Sequence, residues 1–264
     1  MSAHPDIHSH PVLSVRGLSK HFGGVKALDG IDMHVANGEL LGVIGPNGAG
    51  KTALINTITG FYRATAGQIE LKGREISHLP MHQIGRLGIG RSFQNIRLFK
   101  RMTVLENVLV AFKAFSGSPI RSFFRVGTPK ADIDTAMHWL EQLQLADRAD
   151  ALAASLAYGD ARRLEIARAL AGSPHLLLLD EPAAGMNEAE TEQLIRDIQK
   201  IRSHVPSILL IEHDMGLIRA LSDRIVAMDY GKKIAEGSAL AVLEHPEVLR
   251  AYLGTEEEEE EVSV

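Results

Sequence analysis

The chain has 264 residues, 45% of them hydrophobic, a formal net charge of −5 and no cysteine. That length and apolar content support one large α/β domain, or a domain with a subdomain inserted in it. The charge shows no basic excess for a nucleic-acid partner, and the lack of cysteine excludes disulfide and thiol chemistry and fits a reducing compartment.

Met1 to Pro11 carry no basic-then-apolar leader pattern and read as a flexible tail. His4, His8 and His10 leave a metal site open there, against the simpler reading of solvated side chains. Val12 to Lys20 is predicted as a strand, Phe22-Gly23-Gly24 as a turn, and Val25–Asp29 and Ile31–Val35 as two short strands. Asn37-Gly38 is a tight-turn signal before the apolar run Leu40 to Ile44, a buried strand. A helix is expected from Lys51 to Thr59, a strand at Gly67–Leu71, a short helix at Pro80–Leu87 and a strand at Gly88–Ser92. The pattern then turns helical to about Ala171. Thr103 and Glu106 form a capping-box pair, Gly117–Thr128 reads as a loop, and a helix runs from Pro129 to about Leu145 with the only tryptophan, Trp139. A further helix is expected from about Asp160. Leu176 to Leu179 is wholly apolar, as in a central parallel strand. Asn187 caps a helix reaching Arg202, Ser207–Glu212 is a strand, and Met215–Leu221 a helix. Strands at Arg224–Met228 and Lys232–Ala235 and helices near 239–244 and 246–252 follow. Glu256 to Glu261 repel one another and read as a disordered tail. No apolar run is long enough to span a bilayer.

The chemistry centres on Gly45-Pro46-Asn47-Gly48-Ala49-Gly50-Lys51-Thr52, which fits Gly-x-x-x-x-Gly-Lys-Ser/Thr between a strand and a helix. Its glycines let backbone N–H groups turn toward phosphate oxygens, and the helix start adds its positive end. The Lys51 ammonium can bridge outer phosphates, and the Thr52 hydroxyl can ligate magnesium. Asp180-Glu181 follow a buried strand, where ligands bind in open α/β sheets. Asp180 can hold a magnesium-bound water, and Glu181 can act on an attacking water. His213 ends a second apolar strand and can sense a terminal phosphate, or be a satisfied structural residue. Gln94 can bind magnesium or water. Phe22 is either a core aromatic or a platform for a purine.

Taken in order, the phosphate loop, Gln94, Leu156-Ala157-Tyr158-Gly159-Asp160, Leu176 to Glu181 and His213 resemble an ABC-transporter ATP-binding subunit over Val12 to Gly254. The stretches Arg91 to Phe99, Leu156 to Arg168, Glu181 to Gly185, Ile211 to Met215 and Ala251 to Gly254 are similar to the ATPases of branched-chain amino-acid importers. The resemblance implies an α/β fold: a P-loop NTPase (RecA-like) core with an N-terminal antiparallel β subdomain and a helical subdomain inserted at about 95–171. Tails at 1–11 and 255–264 flank an ATPase domain at 12–254. It implies Phe22 under adenine, residues 45 to 53 on phosphate, and Thr52, Gln94 and Asp180 (through water) on Mg2+. Lys51, Glu181 and His213 become catalytic, with Glu181 as base and His213 as switch, and Ala184 to Asn187 form the D-loop. Ala157, Tyr158, Gly159 and Asp160 form a signature that closes over a partner's nucleotide. Its general form is Leu-Ser-Gly-Gly-Gln, so a hydroxyl is missing at Ala157, and Asp160 adds a charge that would repel a triphosphate. Ala53 replaces a second hydroxyl residue, so one phosphate hydrogen bond is expected to be absent. Implied partners are two membrane permeases, a second ATPase chain (a paralogue rather than a copy) and, indirectly, a periplasmic solute-binding protein. The implied place is the cytoplasmic face of the inner membrane. ATPases of urea or amide importers, of lipopolysaccharide exporters, and soluble ABC proteins outside transport remain as alternatives.

Overall fold

The computed structural model describes residues 11–115 and 128–252. The three N-terminal histidines, nearly all of the 117–128 loop and the glutamate block lie outside the described residues.

Two sheets organise the chain. The first is antiparallel, with β1 (Leu13–Phe22), β2 (Val25–Val35), β4 (Ala66–Leu71) and β5 (Arg74–Glu75) in the order β2-β1-β4-β5. The two short strands expected between Val25 and Val35 are in fact one. Gly30 takes φ +74° within it, and the register against β1 slips between Ile31 and Leu28. Glycine accepts that left-handed kink without a Cβ clash, so the strand bends instead of ending.

The second sheet holds β3 (Leu40–Ile44), β6 (Ile89–Arg91), β7 (Leu176–Asp180), β8 (Ile208–Ile211), β9 (Arg224–Asp229) and β10 (Lys232–Gly237). Its order is β10-β9-β3-β8-β7-β6, parallel except for the β9–β10 pair. The central strands are buried on both faces, so they read as unbroken apolar runs. Successive side chains still point to opposite faces. Leu40, Ile44, Leu177, Leu179, Ile208 and Leu210 enter one core. Leu41, Val43, Leu176, Leu178, Leu209 and Ile211 enter the other, which the antiparallel sheet covers through Leu13, Val15, Leu28 and Ile31.

Among the described residues the named helices are α1 (Lys51–Ile58), α2 (Met81–Arg86), α3 (Val104–Phe115), α4 (Lys130–Gln142), α5 (Tyr158–Leu170), α6 (Glu188–Arg202), α7 (Met215–Leu221) and α8 (Ala239–Leu243), and residues 246–252 are helical as expected. Helix α3 opens with the expected capping box: Thr103 N–H donates to Glu106 at 2.8 Å and Glu106 N–H to Thr103 Oγ1 at 3.1 Å. Asn187 and Glu190 repeat the device on α6. Helix α4 follows Pro129 and stops before Gln144, whose φ is +59°. Helices α3, α4 and α5 lie in the chain between β6 and β7 and pack on one another. Helix α5 starts at Tyr158, two residues before the expected position, so Gly159 and Asp160 belong to its first turn.

Candidate functional site

Four parallel strands deliver the site. The carboxyl end of β3 leads into Gly45, β6 into Gln94, β7 into Glu181 and β8 into His213. Their common direction puts all four segments at one edge of the sheet, where an open α/β sheet binds ligands.

The phosphate loop needs its glycines for lack of space as much as for conformation. A Cβ on Gly45, at φ +155°, would lie 2.2 Å from the Met228 carbonyl oxygen, and one on Gly50, at φ +99°, 2.4 Å from that of Ala27. The loop is thus pressed between β9 and β2. Pro46, Ala49 and Ala53 are buried, whereas Asn47, Gly48 and Thr52 are exposed. Lys51 reaches back across the loop and donates to Gly45 O at 2.5 Å and Pro46 O at 3.0 Å. Burial pushes its ammonium pKa down, against the pull of the Glu181, Asp180 and Glu212 carboxylates. A cation held among carbonyls in this way is placed to trade them for phosphate oxygens.

Asp180 ends β7 almost fully buried. Arg91, at the end of β6, donates to its Oδ2 at 3.0 Å and to Thr59 Oγ1 at 2.9 Å. Burial still raises the Asp180 pKa, ahead of the lowering by Arg91. The next residue, Glu181, has φ +45°, uncommon for a side chain of this size. Its N–H donates to Ile211 O at 2.9 Å and its carbonyl accepts from Ala184 N at 3.1 Å. That bend turns its carboxylate to Gln94, whose Nε2 donates to Oε2 at 2.6 Å. Gln94 and Glu181, 87 positions apart, therefore meet directly.

His213 follows β8 with its side chain 60% exposed at the same edge, its Nδ1 3.7 Å from Glu212 Oε2. Phe22 is 43% exposed at the end of β1, which removes the core-aromatic reading. The Lys20 ammonium lies 4.6 Å from its ring centre, and Tyr62 meets it edge-on at 5.0 Å. The signature residues stand at the first turn of α5, with Ala157 as an N-cap that makes no side-chain bond. Asp160 is ion-paired with Arg148 and, at 3.3 Å, with Arg163, so its charge is offset within the chain. Among the described residues no hydrogen bond joins residues 157–160 to residues 45–53.

Two residues at this edge have no role assigned from the sequence. One is Arg91, the partner of Asp180. The other is Glu212, fully buried between β8 and His213. Its carboxylate accepts from Ala183 N at 2.8 Å, His213 N at 3.1 Å and Asp214 N at 3.5 Å. It ties the turn after Glu181 to the segment that carries His213. Burial pushes its pKa up, against those three N–H donors. The only advance signal was a carboxylate inside an otherwise apolar strand end.

Comparison with known proteins agrees with this geometry. The family model described as ABC transporter matches residues 28–184, and that described as branched-chain amino acid ATP-binding cassette transporter matches residues 232–258. The chain is 45% identical to the high-affinity branched-chain amino acid transport ATP-binding protein BraF of Pseudomonas aeruginosa, over 93% of this chain and 99% of that protein. It is 46% identical to the LivG protein of the same description from Escherichia coli, with the same coverage. Among solved structures, an ATP-binding cassette of an ABC transporter in its ADP conformation superposes with a TM-score of 0.83 at 32% identity, over 93% of this chain and 99% of that one. Strand-end phosphate loop, paired Asp180-Glu181 and sequence likeness over nearly the whole chain lead to one conclusion: this chain belongs to the ATP-binding subunits of ABC transporters, in the branched-chain amino acid group.

Proposed function

We propose that this chain hydrolyses ATP at the edge formed by β3, β6, β7 and β8 to drive import of branched-chain amino acids through a membrane complex. The Glu181–Gln94 contact carries the catalytic reading, because it holds a carboxylate at the strand-end edge where the Glu181 charge is felt at Lys51 of the phosphate loop. Adenine stacks on Phe22, whose ring is 43% exposed. Residues 45–53 and Lys51 hold the phosphates, and the N-terminus of α1 adds its dipole. Water attacks the terminal phosphorus while Glu181 takes its proton. The bond from that phosphorus to the bridging oxygen breaks, and ADP and phosphate result. Lys51 and the loop N–H groups offset the charge on the phosphoryl oxygens as this happens. His213 senses the terminal phosphate. The Thr52 hydroxyl, the Gln94 side chain and, through water, Asp180 are oxygen donors of the kind magnesium takes. When bound with the nucleotide, magnesium neutralises charge on the outer phosphates.

The likeness to BraF and LivG supports the choice of solute. No helix among the described residues is long and apolar enough to cross a membrane, so passage of the solute needs permease subunits. We place two of these against residues Gln94 to Leu105, with a periplasmic solute-binding protein beyond and this chain on the cytoplasmic face. A signature without a hydroxyl at Ala157 offers the Gly159 N–H and the α5 terminus to a nucleotide. A paralogue with a stronger signature is therefore the better partner for the nucleotide at Lys51. The test is the complex purified with its permeases and reconstituted in vesicles. It should contain one copy of this chain beside a different ATPase and take up leucine, isoleucine or valine when ATP is supplied. Glu181→Gln should keep ATP binding and lower turnover ~10²–10⁴-fold, the usual worth of a general base. Single-turnover hydrolysis by that variant within tenfold of wild type would remove Glu181 from the role.

A further inference from the structure

We propose that Tyr158 and Arg162 are positioning residues that latch the first turns of α5 to both loops flanking Glu181, so that the Gln94 loop and the Ala184–Gly185 loop move with α5 as one unit. The inference rests on the ATPase reading above and adds a connection that the reading does not need.

The latch is a continuous chain of hydrogen bonds. The Tyr158 hydroxyl donates to Ala184 O at 2.7 Å and accepts from Arg162 Nη2 at 3.3 Å. The same Nη2 donates to Gln94 O at 2.7 Å, while Nη1 donates to Phe93 O at 2.5 Å and to Glu165 at 2.9 Å. Arg162 and Glu165 are wholly buried, so their mutual bond is made away from water, while Tyr158 is 44% exposed and its bond to Ala184 lies at the surface. Two further contacts extend the hold on the same loop: Arg97 N donates to Glu165 Oε1 at 3.3 Å, and Arg168 Nη1 donates to Arg97 O at 2.6 Å. Four backbone groups between Phe93 and Arg97 thus answer to side chains of α5. An arginine kept only to neutralise Glu165 would need one edge of its guanidinium. Here both terminal nitrogens reach carbonyls of an irregular segment, which has no ladder of its own to satisfy them. On the other side, contact is equally close. A Cβ on Gly185 would stand 3.3 Å from the Tyr158 hydroxyl, and one on Gly159 would stand 3.1 Å from Glu190 Oε1. Gln94 closes the circuit through its 2.6 Å bond to Glu181. A shift of α5 therefore reaches the proposed base by two routes.

Tyr158→Phe removes the hydroxyl and little else. In the purified full chain, hydrogen exchange should quicken about threefold to tenfold at residues 93–97 and 183–187, the effect of one lost hydrogen bond. Exchange in β3 and β7 and the melting temperature should stay at wild-type values. Turnover should fall severalfold with KM for ATP unchanged, and Arg162→Lys should deepen both effects. If Arg162→Lys does not fold, Tyr158→Phe alone decides. Wild-type exchange in both segments with wild-type turnover would overturn the latch. So would faster exchange spread evenly through β3 and β7 with a lowered melting temperature, since the hydroxyl would then only support the fold. A wild-type complex, assembled with its partner subunits, that does not hydrolyse ATP would sink the catalytic reading instead, and the exchange arm on the purified chain would still judge the latch.

Discussion

Replacing Arg91 by methionine isolates the buried charge at the centre of the site. Methionine keeps much of the apolar stem but removes the guanidinium that lies 3.0 Å from Asp180. Both side chains are sheltered, Arg91 at 10% and Asp180 at 5% exposure, so solvent cannot replace the lost partner. Removing one member of a buried pair typically costs ~3–5 kcal/mol. At roughly 2–4 °C per kcal/mol for a chain approaching this size, even 3 kcal/mol lowers the melting temperature by about 6–12 °C. Asp180 has one way out, which is to take a proton. Burial already raises its pKa in the presence of Arg91, and loss of Arg91 raises it further. A raised native pKa means that stability returns as the pH falls toward the ordinary carboxylate range and is lost as the pH rises. The deficit of Arg91→Met should therefore be largest near pH 8 and shrink toward pH 5. Adding Asp180→Asn should restore most of the melting temperature without restoring turnover. Calorimetry over that pH range is the assay. An unchanged melting temperature near pH 8, or a deficit that widens toward pH 5, would refute the reasoning.

Two other substitutions probe different parts of the site. Phe22→Ala should weaken ATP binding by ~1–3 kcal/mol, the scale of stacking a base on an aromatic ring, with little change in stability because the ring is 43% exposed. Unchanged affinity in titration calorimetry would take adenine off Phe22. Glu212→Gln removes a buried charge whose pKa is raised by burial. The wild-type advantage in melting temperature should be greatest near pH 4 and narrow as the pH rises, because the native state holds its proton longer than the unfolded chain. An advantage that grows between pH 4 and pH 7 would show that the three N–H donors outweigh burial.

What could be read in advance followed from local rules. The apolar runs at Leu40–Ile44, Leu176–Leu179 and Ile208–Ile211 became neighbouring parallel strands because each fills both faces of one sheet. The Thr103–Glu106 and Asn187–Glu190 boxes were legible because a cap and its partner lie three positions apart. Gly30 misled for the same reason: a local rule reads it as a break, while pairing with β1 on both sides carries the strand through it. The partners of the site residues were out of reach of any such rule. Arg91 meets Asp180 across 89 positions, and Arg162 meets Gln94 across 68. The β6–β7 pairing decides the first meeting and the packing of α5 beside β6 the second, and spacing along the chain carries no trace of either.

Glu181 shows how far the chemistry depends on what was hidden. A residue continuing β7 would send successive side chains to opposite faces, into the two cores that receive Leu178 and Leu179. The left-handed backbone at φ +45° breaks that alternation and lifts the carboxylate off the sheet toward Gln94. Such a conformation costs a non-glycine residue about 1–2 kcal/mol, so something must hold it. The bonds to Ile211 O and from Ala184 N do so from the backbone, and Glu212 holds the same turn through Ala183 N. Each of those partners lies on β8, just after it, or on the loop that Tyr158 grips. The backbone of the proposed base is therefore held by the segment that carries His213 and by the loop that Tyr158 of α5 grips, not by β7 alone.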